Sequence, residues 1–132
     1  MNNLNSVLIE GNVVQEPVYK TSPKGKPLCT FSLASYRYYC YENRTVTEIN
    51  FFDIETWSKL AEYCQQGHKG YGVRVVGRLK QERWNDAGGK THSKIIIVAE
   101  HVEFKPDRQE GSVPRAERAE ALVAGTAQAG LF

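Results

Sequence analysis

The stretch YGVRVVGRLKQERW, running from Tyr71 to Trp84, decides how the rest of this sequence reads. Val73-Arg74-Val75-Val76 is β-branched and apolar enough to be a core strand. Gly77 interrupts it, and a glycine inside a strand marks a bulge or a bend. Beyond the glycine the pattern changes to Arg78, Lys80, Arg83 and a terminal Trp84. One strand therefore serves a core at one end and displays cations and a large aromatic at the other. Taken alone, the same stretch also fits a surface strand with solvated charges.

On the N-terminal side, Val7 to Val14 reads as a strand bent at Gly11, and Glu16-Pro17 ends it. Val18-Tyr19-Lys20 is a brief continuation. Ser22-Pro23-Lys24-Gly25 is a turn, with proline where φ is fixed and glycine two residues later. Leu28 to Ala34 alternates with period two, which predicts a half-buried second strand. Tyr36 to Arg44 holds four tyrosines and two arginines and is a loop or hairpin arm. Thr47 to Glu55 is a third strand. Trp57 to Cys64 is the one convincing helix, with Leu60, Ala61 and Cys64 as its apolar stripe and Gly67 as its stop.

On the C-terminal side, Asn85 to Gly89 is a turn-rich hairpin tip and Lys94 to Phe104 a fifth strand. The order β-β-β-α-β-β predicts an all-β domain over residues 1–105. Its architecture is a five-stranded Greek-key barrel of the OB type, with one short helix between strands 3 and 4. From residue 106 to residue 132 the aromatics vanish except for Phe132, and a flexible tail is expected.

Composition bounds the function. The 132 residues suit one domain and a tail, and a 41% hydrophobic share supports a real core. Net charge is only +2, so any electrostatic footprint is local. Cys29, Cys40 and Cys64 are odd in number and lack CxxC spacing, which argues against a disulfide framework or a zinc ribbon. Neither a leader pattern nor a run of roughly 20 apolar residues is found, so a cytoplasmic, nucleoid-associated setting is expected. Cys64 and His68 are four apart, but Gly67 lies between them and no third ligand has workable spacing. GxSxG, GxGxxG and Walker patterns are absent. The expectation is a protein without metal, cofactor or catalytic activity.

What remains is aromatics interleaved with cations: Tyr36, Arg37, Tyr39, Phe51, Trp57, Lys59, Arg78, Lys80, Arg83 and Trp84. Cations for phosphates and flat rings for bases are what a sequence-tolerant single-strand nucleic-acid groove needs. In an OB barrel the second and third strands and the adjoining loops form the oligonucleotide face. The alternative is that the same aromatics serve a protein interface, making the barrel an assembly module of the replication machinery.

Several motifs resemble those of the bacterial single-stranded DNA-binding protein family. Asn5-x-Val7-x-Ile9-x-Gly11-Asn12-Val13-x-x-Glu16-Pro17 is similar to its first strand, Pro23-Lys24-Gly25 to its turn and Phe31-Ser32-Leu33-Ala34 to its second strand. Lys59-Leu60-Ala61-Glu62 is similar to its helix, and Gly77-Arg78-Leu79 with Trp84-x-Asp86-x-x-Gly89 to its fourth strand and hairpin. The resemblance covers about residues 1–104. It implies single-stranded DNA as partner, roles in replication, recombination and repair, and a homotetramer around which strands wrap. Trp84 matches a family tryptophan, Phe51 and Tyr39 stand where many members have Trp, and Trp57 stands where Phe is frequent. Lys59, Lys80 and Arg83 match basic positions, whereas Glu82 stands where a cation is common. Phe52 replaces a polar interface residue. Apolar excess on Leu4 to Val14 and on Ile95 to Val98 agrees with self-association. Members close on an acidic tip ending Pro-Phe that docks replication and repair proteins. Here the residues are Thr126-Ala127-Gln128-Ala129-Gly130-Leu131-Phe132, so weak partner recruitment is expected.

Overall fold

Two long hairpins make up most of the molecule. The computed structural model describes residues 1–106, so the expected tail lies outside the described residues apart from Pro106. The elements are β1 (Val7–Val13), β2 (Val18–Thr21), β3 (Pro27–Tyr41), β4 (Arg44–Trp57), α1 (Ser58–Cys64), β5 (Gly72–Asn85) and β6 (Thr91–Lys105).

The strand order is β1-β5-β6-β4-β3-β2, closed by pairing of β1 with β3. β1 and β2 run one after the other along the same edge of β3, through Val13↔Leu33 and then Val18↔Thr30. They fill one strand position between them, so the barrel is five-stranded, as expected. Its last seam is a short parallel pairing of β4 with β6 at Ile54↔Ile97 and Glu55↔Val98.

Two glycines allow the closure. A Cβ on Gly11 would run into the Ala34 carbonyl oxygen where β1 crosses β3. A Cβ on Gly77 would strike the Val98 carbonyl oxygen, and the β5–β6 register shifts between Val76 and Gly77. The residue skipped by that shift is Glu100 of β6, so the bulge lies in β6 opposite the glycine of the deciding stretch and not at the glycine itself.

The alternation read from the sequence points inward as expected. Cys29, Phe31 and Leu33 of β3, Ile54 of β4, Val73 and Val75 of β5 and Ile97 of β6 form the core with Val13. Each such aliphatic side chain contributes roughly 1.5–3 kcal/mol by leaving water. α1 packs on β3, β4 and β6 and buries Ala61 and Cys64, with Leu60 against the core. Burial pushes the Cys64 thiol up to about 12. Cys29 is also buried and its thiol is raised for the same reason, so both act as small apolar side chains.

Of the two readings open for Tyr36 to Arg44 the hairpin arm holds, and the elements differ from the sequence reading in two further places. Tyr36 to Tyr41 is strand, and the β3–β4 hairpin extends to a two-residue turn at Glu42-Asn43. Those residues have φ of 48° and 62°, the left-handed conformation that a two-residue hairpin turn of type I′ demands. The usual glycine is missing there, which hid the turn. Val18–Thr21 is a paired strand of its own. Trp57 ends β4 in extended conformation, and the helix starts after it. No helix among the described residues is long and apolar enough to cross a membrane.

Candidate nucleic-acid interface

Outward-facing side chains of β3 and β4 floor a groove of about 580 Å³, walled by β2 on one side and by the β5–β6 hairpin on the other. Leu28, Thr30 and Ser32 alternate with the core residues of β3. Their register partners Trp57, Glu55 and Asp53 do the same on β4. Lys80 and Glu82 of β5, with Lys94 and Ile96 of β6, complete the opposite wall. The period of two that buries one face therefore builds the groove from the other.

The groove is ordered by charge pairing. Lys94 Nζ donates to Asp53 Oδ2 at 2.9 Å, and Ser32 Oγ donates to Asp53 Oδ1 at 2.8 Å. These two hydrogen bonds, led by that from Lys94, hold the Asp53 carboxyl below its usual range, and the same bond raises Lys94. Glu55 is buried. It accepts a hydrogen bond from Trp57 Nε1 at 2.6 Å and lies 3.8 Å from Lys80 Nζ. One carboxylate thus fixes the edge of an indole and holds a cation beside it.

Trp84 extends the same face of β5, because it alternates with Lys80 and Glu82. It is 47% exposed and stacks on His92, its register partner, at 5.7 Å and 22°. His92 Nε2 lies 2.8 Å from Asp86 Oδ2. The other oxygen of Asp86 accepts from the backbone N–H of Gly88 and of Lys90, both at 2.9 Å. Asp86, held below its usual range first by His92, therefore ties the hairpin tip to the ring beneath Trp84.

The ten residues expected to form the site do not all share this surface. Trp57 and Lys80 line the groove, and Trp84 continues its face. Tyr36 and Phe51 have the outward parity of β3 and β4 beyond the groove. Tyr36 packs there on Ala34 and Ile49, and Phe51 is 44% exposed. Arg37 and Tyr39 have the opposite parity. Arg37 sits over the Tyr39 ring at 4.7 Å and reaches Glu48 at 3.8 Å, its register partner. Arg83 is turned to the other face of β5, where it donates to Gln81 at 3.0 Å. Lys59 on α1 and Arg78 on β5 are exposed.

Lys20, Asp53, Glu55, His92 and Lys94 are site residues that the sequence reading missed. For His92, its place four residues after Gly88, as Trp84 stands four before it, was an available signal. Asp53 and Glu55 take their lysine partners from 41 and 25 positions away.

A closed five-stranded barrel with an aromatic and cationic groove over its second and third strand positions defines the chain as an OB-fold protein. The model of the single-strand binding protein family matches residues 4–105, and the chain belongs to that family. It is 40% identical over 121 residues to a single-stranded DNA-binding protein of Aquifex aeolicus, covering 90% of this chain and 81% of that one. It is 33% identical to a single-stranded DNA-binding protein of Caldanaerobacter subterraneus, covering 87% and 79%. Its fold is similar to that in a structure described as a Plasmodium falciparum SSB complex with ssDNA. That similarity has a TM-score of 0.73 at 21% identity and covers 80% of this chain and 98% of that one.

Proposed function

We propose that this chain binds single-stranded DNA with little sequence preference, protecting exposed strands during replication, recombination and repair. The observation that carries the reading is the groove of this family member, bordered by Trp57 and Lys80 and continued along β5 by Trp84. Bases stack on Trp57 and Trp84, because every base offers a π-face whatever its identity. Lys80 and Lys94 contact phosphates once the strand draws them from Glu55 and Asp53. Tyr36 and Phe51 extend the stacking surface across β3 and β4. Lys59, Arg78 and Arg83 act at its margins, and Arg37 with Tyr39 acts from the far side of the hairpin arm.

The working form is a homotetramer. Leu8 is 74% exposed, Ile95 63% and Leu79 46%, and apolar side chains left in water at this density favour burial against another copy.

Titration with oligo-dT, followed by tryptophan fluorescence, tests the binding. Saturable quenching that weakens as salt rises is expected. Absence of quenching and of any mobility shift at micromolar protein would refute the reading. Sedimentation tests the assembly, and a monomer at micromolar concentration would overturn it.

A further inference from the structure

Trp84 is backed from one side. β1 pairs with β5 only from Gly72 to Gly77, so beyond Gly77 the one strand beside β5 among the described residues is β6. On that side the indole of Trp84 stacks on the imidazole of His92, its register partner, at 5.7 Å and 22°. On the other side no strand adjoins it, and Trp84 is 47% exposed. A base arriving there completes a stack of base, indole and imidazole.

His92 is itself fixed. Its Nε2 lies 2.8 Å from Asp86 Oδ2, while Asp86 Oδ1 accepts from the backbone N–H of Gly88 and of Lys90. Asp86 is held below its usual range, first by His92 and next by the Lys90 N–H. It therefore stays ionised wherever histidines change charge. An ionised carboxylate only accepts, so Nε2 carries the hydrogen and Nδ1 is the nitrogen that takes a second proton.

The surrounding charges set the direction of the response. Glu82 lies diagonally across on β5, Lys90 and Lys94 flank His92 on β6, and Lys94 is engaged by Asp53 of β4. While His92 is neutral, the Asp86 charge repels phosphates at this end of β5. Protonation offsets that charge across the 2.8 Å contact and sets a cation against the indole face, which attracts it. An indole already held in place also loses less freedom when a base stacks on it.

We infer that His92 is a positioning residue for Trp84 and makes the hold on single-stranded DNA pH-dependent. It backs one face of the indole while a base takes the other, and binding tightens when the imidazole gains its second proton. The inference rests on the single-stranded DNA reading and deepens it. By linkage, bound DNA in turn raises the affinity of His92 for that proton.

The test titrates the full-length chain, His92→Phe and His92→Arg with oligo-dT between about pH 5.5 and pH 8 at fixed salt, where thymine and phosphodiester keep their charge. A urea melt of each protein at both ends of the range confirms folding. The parent should bind about two- to five-fold more tightly at the acid end, the size of an exposed cation–π contact. His92→Phe keeps a ring against the indole but loses this pH dependence. His92→Arg keeps a cation throughout and binds more tightly than His92→Phe at the alkaline end. The other histidines, His68 and His101, contribute equally to parent and variants. In a Trp57→Phe background Trp84 is the one indole, and its emission in the DNA-free chain should fall on acidification and stay level once His92→Phe is added. A pH dependence equal in all three proteins, or none in a parent that binds, overturns the role of His92. A parent that binds no oligo-dT at any pH refutes the DNA-binding reading itself, and the role of His92 with it.

Discussion

Replacing Asp53 by Asn should strengthen binding of single-stranded DNA while costing little stability. Asp53 stands in the groove with one oxygen on Ser32 and the other on Lys94. Asparagine has the same shape and still accepts from Ser32, so the packing is kept. The lost ion pair is half exposed, with side-chain exposures of 47% and 52%, and such pairs contribute about 0–1 kcal/mol. The gain is electrostatic. A negative charge leaves the path of the phosphates, and Lys94 becomes free to neutralise one of them. One added contact steepens the salt dependence by about 0.7, which is close to a 2.6-fold larger loss between about 50 and 200 mM salt. The assay is an oligo-dT titration of both proteins across that range, with a urea melt of each to confirm folding. The pH dependence provides a second check. Asp53 has a depressed pKa in the folded chain, so its ion pair stabilises above the ordinary carboxylate value and is lost as pH falls through the depressed one. The difference in stability between the two proteins therefore shrinks towards acid pH. Equal affinity and equal slope at neutral pH would refute the reasoning, because Asp53 and Lys94 would then lie off the path of the strand.

Three further outcomes follow from the same geometry. Trp84→Ala should weaken oligo-dT binding roughly five-fold or more, since stacking is worth about 1–3 kcal/mol per base, with the thermal melt unchanged because Trp84 stands on the hairpin arm outside the core; an unaltered affinity would remove Trp84 from the contact surface. Gly77→Ala should lower the unfolding free energy by about 1–3 kcal/mol, since its Cβ meets the Val98 carbonyl and approaches the Ala99 Cα at 3.0 Å, and chemical denaturation measures this directly. In the native protein at pH 8 a thiol reagent should modify Cys40 alone, with Cys29 and Cys64 reacting only after unfolding, as mass spectrometry of the labelled chain would reveal.

Much of the barrel is local chemistry and was legible in the chain. Alternation through Cys29, Phe31 and Leu33 named the buried face of β3, because it depends on neighbours two residues apart, and Gly77 marked where the ladder shifts, although the extra residue is Glu100 across from it on β6. Asn85 to Gly89 was readable as a hairpin tip for the same reason. For Tyr36–Tyr41 the sequence left loop and hairpin arm open, because the turn uses Glu42 and Asn43 at positive φ, without the glycine that signals such a bend. The aromatic and cationic content of the site was also legible, but its sides were not. Parity within a strand turns Arg83 away from Lys80, and register across strands decides which residues face one another. Only closure of the barrel sets Lys94 against Asp53 and Lys80 against Glu55, across 41 and 25 positions of chain. Those pairings convert a list of cations into a groove in which Lys80 and Lys94 are already occupied. A pocket lined by Lys24, Lys26 and Trp57 lies where the β2–β3 turn folds against the end of β4, a juxtaposition of residues some thirty positions apart that no local pattern encodes.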